Sequence, residues 1–297
     1  METISAVKFA TLHNNKTIFY SHINCIDEVF DKIKCLDHEV ILITGSGDIS
    51  VSTFNAPENV KYWFAQNSLV QHEKIIPIPI GIRDSFPYYF KDQCPIISGS
   101  GFFSGQIADQ MLTEIYLNDN SNPDKFLYSN FNPKTNILYR SFLRDVCSHI
   151  EFISYESSNE SEGGYKNYYS KILNHLATLC PIGNGIDTHR IWETLYCKRI
   201  PITINCNHKY QNKNAIPIGS PYIFPQENEY SIYTKLYSQM PIIILNSHEE
   251  LFDRQYLQEI IDNKSKQDYN LNLLDFNYWK DLILNLSDSL ESNSVRI

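Results

Sequence analysis

Residues Cys180–Ile204 constrain the fold more tightly than any other part of the chain. They read as a strand end at Cys180-Pro181-Ile182, a tight turn through Gly183-Asn184-Gly185, a helix, and a second strand at Ile200-Pro201-Ile202-Thr203-Ile204. Gly183 and Gly185 permit a sharp turn and a close approach of backbone to a ligand. Asp187 or Thr188 suits the N-cap position of the helix. That helix carries His189, Arg190 and Glu193 in its first two turns. Positions three and four apart share a helix face, so these polar groups can converge on one place. A helix N-terminus with Arg and His beside it suits an anion such as a diphosphate, and Glu193 can accept from ligand hydroxyls. The second strand is almost wholly apolar, as a strand buried on both faces must be. The unit is therefore strand-helix-strand, with its polar groups at a strand's carboxyl end. Open α/β sheets bind ligands there. Taken alone, the segment is also compatible with an ordinary helix cap carrying incidental charge.

The rest of the chain repeats this alternation. An apolar patch at Val7–Ala10 and another at Thr17–Tyr20 read as an opening strand and its neighbour. Ile26, Val29, Phe30 and Ile33 have helical spacing. Glu39–Thr44 is a short apolar run followed by Gly45-Ser46-Gly47-Asp48, a buried strand with a polar loop at its carboxyl end. Val60–Ala65 is a strand ending in two amides, Gln66 and Asn67. They either cap the strand or face a ligand; two adjacent amides are hard to satisfy internally, which favours the ligand. Pro77 and Pro79 place Lys74–Ile82 at a sheet edge, since proline cannot donate to a ladder. Arg83 and Asp84 follow and either line the same cleft or form a surface ion pair. Ser98–Gly105 reads as a loop, and the polar cluster Asn118–Asp124 as the link between units of residues 1–124 and 125–297.

Lys125–Asn132 begins the second unit as a strand. Its carboxyl-end loop holds Thr135 and Asn136, and the helix after it carries Arg140. Phe152–Tyr155 reads as a strand and Tyr165–Ala177 as a helix. Pro241–Asn246 reads as a strand, Ser247–Leu251 as a helix start, and Leu271–Leu286 as a closing helix. Strands alternating with helices through both halves predict an α/β fold of two Rossmann-like units with mainly parallel sheets.

Composition excludes several function classes. The chain has 297 residues, 42% hydrophobic and 20% charged, with net charge −9. That is globular, and it lacks the basic face of a nucleic-acid-binding domain, so no nucleic-acid partner is expected. The N-terminus has no basic and apolar leader, and no apolar run reaches the ~20 residues of a membrane helix. The seven cysteines form no Cys-x-x-Cys pair, and the odd number excludes complete pairing. They read as reduced thiols in a cytoplasm. No His-Glu-x-x-His or similar spacing occurs among the nine histidines, so no metal is expected.

Four segments resemble the exostosin-like and related sugar-nucleotide glycosyltransferases. Pro181–Ile202 is similar to that family's Pro-x-Gly-Asn-Gly-Ile-Asp-(Thr/Cys)-His-Arg-(Thr)-Trp-Glu-Ala-Leu motif and the Ile-Pro-Ile strand after it. Tyr62–Ile82 is similar to its Trp-Phe-Ala-Gln-Asn and Ile-Pro-Ile-Gly segments, Tyr128–Arg140 to its strand-Asn-x-Thr-Asn-x-x-x-Arg pattern, and Val40–Asp48 to a strand ending in Thr-His-Asn-x-Asp. Ile182 stands where the family often has Arg or Pro, and Gly45 stands where it has His.

The resemblance implies the glycosyltransferase B arrangement, two Rossmann-like domains facing across a cleft. It implies a bacterial or viral cytoplasmic enzyme that needs no cofactor beyond a UDP- or GDP-linked sugar. The acceptor it implies is a saccharide or lipid-linked saccharide of a surface polysaccharide or glycoconjugate, which leaves peripheral membrane contact open. On this reading the donor meets Gly183, Asn184, Gly185, Asp187, Thr188, Glu193, Thr135, Asn136 and Arg140. Arg190 and His189 stabilise the leaving nucleotide, and Gln66, Asn67 and Asp84 face the acceptor. Asp48 is the first candidate base, with Asp84 second. A non-catalytic sugar- or nucleotide-binding protein and a nucleotide-sugar epimerase are the alternatives.

Overall fold

The computed structural model describes residues 1–83, 102–157, 164–205 and 235–294. Two parallel sheets organise them. The first holds β1 (Ile18–His22), β2 (Val40–Gly45), β3 (Val60–Ala65) and β4 (Ile75–Pro77) in sequential order, all parallel. The proline-bearing β4 takes the edge, as expected. Side chains alternate between the two faces. Phe19, Val40, Leu42, Trp63 and Ile75 pack with Val29, Phe30 and Ile33 of helix α2 (Ile26–Lys34). Ile18, Tyr20, Ile41, Ile43 and Phe64 point to the opposite face.

The second sheet holds β5 (Lys125–Phe131), β6 (Ile153–Ser157), β7 (His175–Leu179), β8 (Ile200–Ile204) and β9 (Ile243–Leu245), in the order β6-β5-β7-β8-β9 and all parallel. Helix α4 (Ile137–Ser148) and the helix Arg254–Ser265 cover one face through Tyr139, Leu143, Leu257 and Ile261. Helices α5 (Gly164–Leu173) and α6 (His189–Tyr196) cover the other through Tyr169, Ile172, Ile191 and Trp192. The helices following the neighbouring strands β5 and β7 thus leave to opposite faces. This is a topological switch point, and it opens a crevice between the loops that end those two strands.

One continuous core joins the two sheets. Phe9, Tyr20 and Phe64 belong to the same buried cluster as Trp192, Leu195 and Tyr196. The Tyr196 hydroxyl accepts from Ile4 N and donates to Leu274 O, both at 2.8 Å.

The α/β architecture of two parallel-sheet units is the expected one, and five local readings differ. Val7–Ala10 lies in a short helix, α1 (Ala6–Ala10), because the Ser5 hydroxyl caps it by accepting from Lys8 N. Residues from Phe102 onward are not loop but helix α3 (Phe102–Asn118), which buries Ala108 and Leu112 in the shared core; residues 98–101 lie outside the described residues. The helix over Tyr165–Ala177 stops at Leu173, and His175–Leu179 forms β7 at the heart of the sheet. Leu176 and Ala177 continue the apolar spacing of the helix, so periodicity alone does not reveal the break. The closing helix, assigned above with residues 125–297, spans Phe276–Ser294 and packs on the first sheet. Its Trp279, Ile283 and Leu290 join the shared core, and Ser287 Oγ lies 2.6 Å from Thr17 Oγ1. Finally, Cys25 is disulfide-bonded, against the all-reduced reading, while Cys35, Cys147, Cys180 and Cys197 are free. Among the described residues no helix is long and apolar enough to cross a membrane.

Candidate functional site

Every described segment predicted to carry chemistry lies at a strand's carboxyl end, and the two sheets bring those ends together. Gly45–Asp48 follows β2, Gln66–Asn67 follows β3, and Ile78–Arg83 follows β4. From the other sheet, Asn132–Asn136 follows β5 and Cys180–Thr188 follows β7.

The loops after β5 and β7 are bound to each other by Arg140. Its Nε donates to Ile182 O at 2.9 Å, Nη2 to Pro181 O at 2.8 Å, and Nη1 to Thr135 Oγ1 at 2.5 Å. Asn136, in the left-handed region at φ 60°, donates from Nδ2 to Gly183 O at 3.2 Å. Thr135, Asn136, Arg140 and Gly183 therefore form one cluster. Arg140 is buried, and among the described residues no carboxylate pairs with it. Burial first, and the charge of Arg190 second, pull its guanidinium down to about 9, so it remains a cation at neutral pH. A buried cation without a counter-ion raises the positive potential of the crevice around it.

Arg190 and Glu193 project from α6 beside this crevice. Arg190 Nε donates to Asn130 O at the end of β5. Glu193 is buried, and its Oε2 accepts from the Tyr168 hydroxyl at 3.0 Å. Among the described residues neither enters an ion pair. Tyr168 and the Asn130 carbonyl were not singled out from the sequence. The only signal for Tyr168 is the crowding of Tyr165, Tyr168 and Tyr169 on one short helix.

Several predicted ligand contacts are structural ties. Asp187 is buried, and its carboxylate accepts from Ile80 N at 2.8 Å, from Trp192 Nε1 at 2.9 Å, and from the Tyr237 hydroxyl. Burial pushes its carboxyl up to about 6, against the pull of the Tyr237, Ile80 and Trp192 hydrogen bonds. The helix cap is Thr188, whose buried hydroxyl makes no hydrogen bond among the described residues. Gln66 and Asn67 are satisfied internally, contrary to expectation. Gln66 accepts from Ser46 N and donates to Pro79 O, each at 3.0 Å. Asn67 donates to Gly47 O at 3.2 Å and accepts from Asp187 N at 2.9 Å. The surrounding loops turn unpaired backbone groups toward both amides, so no ligand is needed to satisfy them.

Neither Gly183 nor Gly185 uses a positive φ. Both are needed for close approach, and to protein rather than ligand. A Cβ on Gly183 would lie 2.8 Å from Arg140 Nη2, and one on Gly185 would lie 2.7 Å from Asn67 Oδ1.

Asn184 and His189 also reach across between the units. Asn184 Nδ2 donates to Asp48 Oδ2 at 2.9 Å, holding this exposed carboxylate at the mouth of the crevice. His189 Nδ1 lies 2.9 Å from Gly81 O. A carbonyl only accepts, so Nδ1 carries a proton. Asp84 lies outside the described residues.

No protein-family model matches this sequence, and no curated protein matches it. Among solved structures, the chain is similar to a crystal structure of an α1,3-fucosyltransferase, with 14% identity and a TM-score of 0.37 over 91% of this chain and 70% of that one. A crystal structure of α1,3-fucosyltransferase with GDP-fucose matches with 14% identity and a TM-score of 0.33, over 82% of this chain and 68% of that one.

Proposed function

We propose that the chain is a nucleotide-sugar-dependent glycosyltransferase of the B arrangement, with its donor site at the switch point of the second sheet. One observation carries the reading. Two guanidinium groups, Arg140 and Arg190, stand at that crevice with no carboxylate paired to either among the described residues. Uncompensated buried charge is costly, and a diphosphate offsets it. Arg140 shapes the loops and contributes field, since four of its donor contacts are already made to Ile182, Pro181, Thr135 and Asn132. Among the described residues the terminal N–H groups of Arg190 meet no acceptor, which leaves them to donate to an anion.

Chemistry follows from that placement. Glycosyl transfer builds negative charge on the departing nucleotide diphosphate. Fixed cations at that position stabilise the transition state without reorganising at the moment of reaction. Glu193, with Oε2 held by Tyr168, offers Oε1 to a ribose hydroxyl. On the acceptor side, Asp48 is placed to take the proton of an attacking hydroxyl if the reaction inverts the anomeric centre. Its tie to Asn184 links the base to the loop that flanks the donor. His189 is anchored through Nδ1 at the junction of the units, where it can meet the leaving nucleotide. The acceptor is a saccharide or lipid-linked saccharide, and the donor is UDP- or GDP-linked.

The test is turnover. Incubation with a panel of UDP- and GDP-sugars should release free nucleotide slowly by hydrolysis, and faster with a competent saccharide. Binding without release from any donor would instead indicate a non-catalytic sugar-nucleotide-binding protein.

A further inference from the structure

Arg190 and Glu193 are three residues apart on α6, a spacing at which opposite charges ordinarily meet. Here they do not pair. Arg190 Nε is taken by the Asn130 carbonyl at the end of β5, and Glu193 Oε2 by the Tyr168 hydroxyl on α5, at 3.0 Å. No other hydrogen bond or ion pair engages either side chain among the described residues, although Glu193 is only 5% exposed. A buried carboxylate with a cation one turn away, and only a phenol bonded to it, is an unusual resting state. Closing the Arg190–Glu193 pair would satisfy both groups.

We propose that Tyr168 is a positioning residue that holds Glu193 away from Arg190. It thereby keeps a carboxylate oxygen and a guanidinium edge open, side by side, for one ligand carrying both a hydroxyl and an anionic group. The ligand class is a nucleoside diphosphate, whose ribose and diphosphate present those two chemistries at adjacent positions. The inference deepens the donor-site reading and rests on it for the ligand, but not for the geometry.

The surroundings fit this role. Tyr168 packs between Tyr128 and Tyr169, with ring centroids at 6.3 and 5.3 Å, so its hydroxyl is rigidly aimed. Burial, and next the Glu193 charge, push the Tyr168 phenol well above its ordinary value. It stays protonated and donates to Glu193. A phenol also suits the task because it donates one hydrogen bond without bringing charge. A lysine there would neutralise Glu193 and compete with the ligand.

Tyr168→Phe removes the hydroxyl while keeping the ring in its stack, so the fold should be preserved. The first arm needs no ligand. In a crystal structure of this variant, Glu193 should rotate to within about 4 Å of the Arg190 guanidinium, the distance of an ion pair. If Glu193 keeps its position, the proposal is overturned. The second arm compares binding of UDP and GDP with their 2′,3′-dideoxyribose counterparts by calorimetry. In Tyr168→Phe the ribonucleotide should weaken by roughly tenfold or more, as for loss of a hydrogen bond to a charged group. The dideoxy form should weaken less, because it never engages Glu193. Equal weakening of both forms would overturn the positioning role. If neither nucleotide binds the native chain, the donor-site reading fails, and the ligand class with it, while the first arm still decides whether Tyr168 holds the pair apart.

Discussion

Asn67 and Gly185 meet across the two units so closely that a single methyl on Gly185 would lie 2.7 Å from Asn67 Oδ1 and 2.9 Å from its Nδ2. The same amide accepts from Asp187 N at 2.9 Å and donates to Gly47 O at 3.2 Å. The loop after β3 and the loop after β7 are thus held in one register. Asn67 itself stands at φ 51°, a conformation Asn tolerates better than most side chains. Gly185→Ala should destabilise the protein by about 1–3 kcal/mol, the scale of an overpacked interior. Chemical denaturation measures it. In an Asn67→Gly background, where the backbone conformation is kept and the amide is gone, the same substitution should cost less than about 0.5 kcal/mol. That failure of additivity would mark direct contact. Equal costs in both backgrounds would place the clash elsewhere.

Asp187 makes stability depend on pH in an unusual direction. Its folded-state carboxyl is raised to about 6 from its ordinary value of 3.8. A raised value means that the folded state binds the proton more tightly. The stabilisation is therefore fully present below the unfolded value and is lost as pH rises through about 6. The gap corresponds to a contribution on the order of 3 kcal/mol between the two extremes. Asp187→Asn preserves the shape, with its oxygen facing Ile80 N and Trp192 Nε1 and its amide donating to the Tyr237 hydroxyl. Native stability relative to this variant should rise as pH falls from 7 to 4, read from urea midpoints at each pH. A difference that stays flat, or grows toward neutral pH, would contradict the burial argument.

The two arginines of the crevice should separate by readout. Arg140 ties Pro181, Ile182, Thr135 and Asn132 together, and lysine cannot reproduce that fork. Arg140→Lys should lower stability by about 2–4 kcal/mol, because buried carbonyls lose their donors. Arg190 makes one backbone contact and is only half-buried. Arg190→Ala should cost about 1 kcal/mol or less in stability while weakening nucleotide binding.

Gln66 belongs with the structural group. Gln66→Leu strips the partner from Ser46 N, whose residue sits at φ 63°, and from Pro79 O. The expected loss is about 1–3 kcal/mol for each buried group left unpaired. Nucleotide affinity measured well below the unfolding midpoint should be unchanged. A variant that keeps native stability and loses ligand would restore Gln66 to the ligand-facing role suggested by its position.

The alternation of apolar strands with amphipathic helices makes the two-sheet α/β architecture readable in the sequence. Part of the cluster is legible as well: Thr135 and Asn136 follow the readable strand Lys125–Asn132, Arg140 lies on the helix after it, and Gly183 lies in the glycine turn. Tyr168 and the Asn130 carbonyl were not legible. A hydroxyl on a tyrosine-rich helix has no spacing signature, and a backbone acceptor has no side chain to read. Asp187, Gln66 and Asn67 read as ligand-facing in the sequence and make internal ties in the structure, for one shared reason. Polar residues at strand ends serve ligands or neighbouring loops equally well, and only the facing unit decides which. That unit comes from distant sequence, as the 2.8 Å bond from Ile80 N to Asp187 illustrates. The break between α5 and β7 was hidden because apolar residues continue through both elements.

The central claim, a diphosphate site at the switch point of the second sheet, is tested most directly by calorimetric titration of UDP- and GDP-sugars. The titration is made into the native chain and into Arg190→Ala, with the unfolding midpoint of each protein recorded alongside. One nucleotide class should bind the native chain, and Arg190→Ala should weaken it by at least about tenfold, the scale of a lost charge-assisted contact, with little change in midpoint. Absence of binding to the native chain, or equal affinity in the variant, would contradict it.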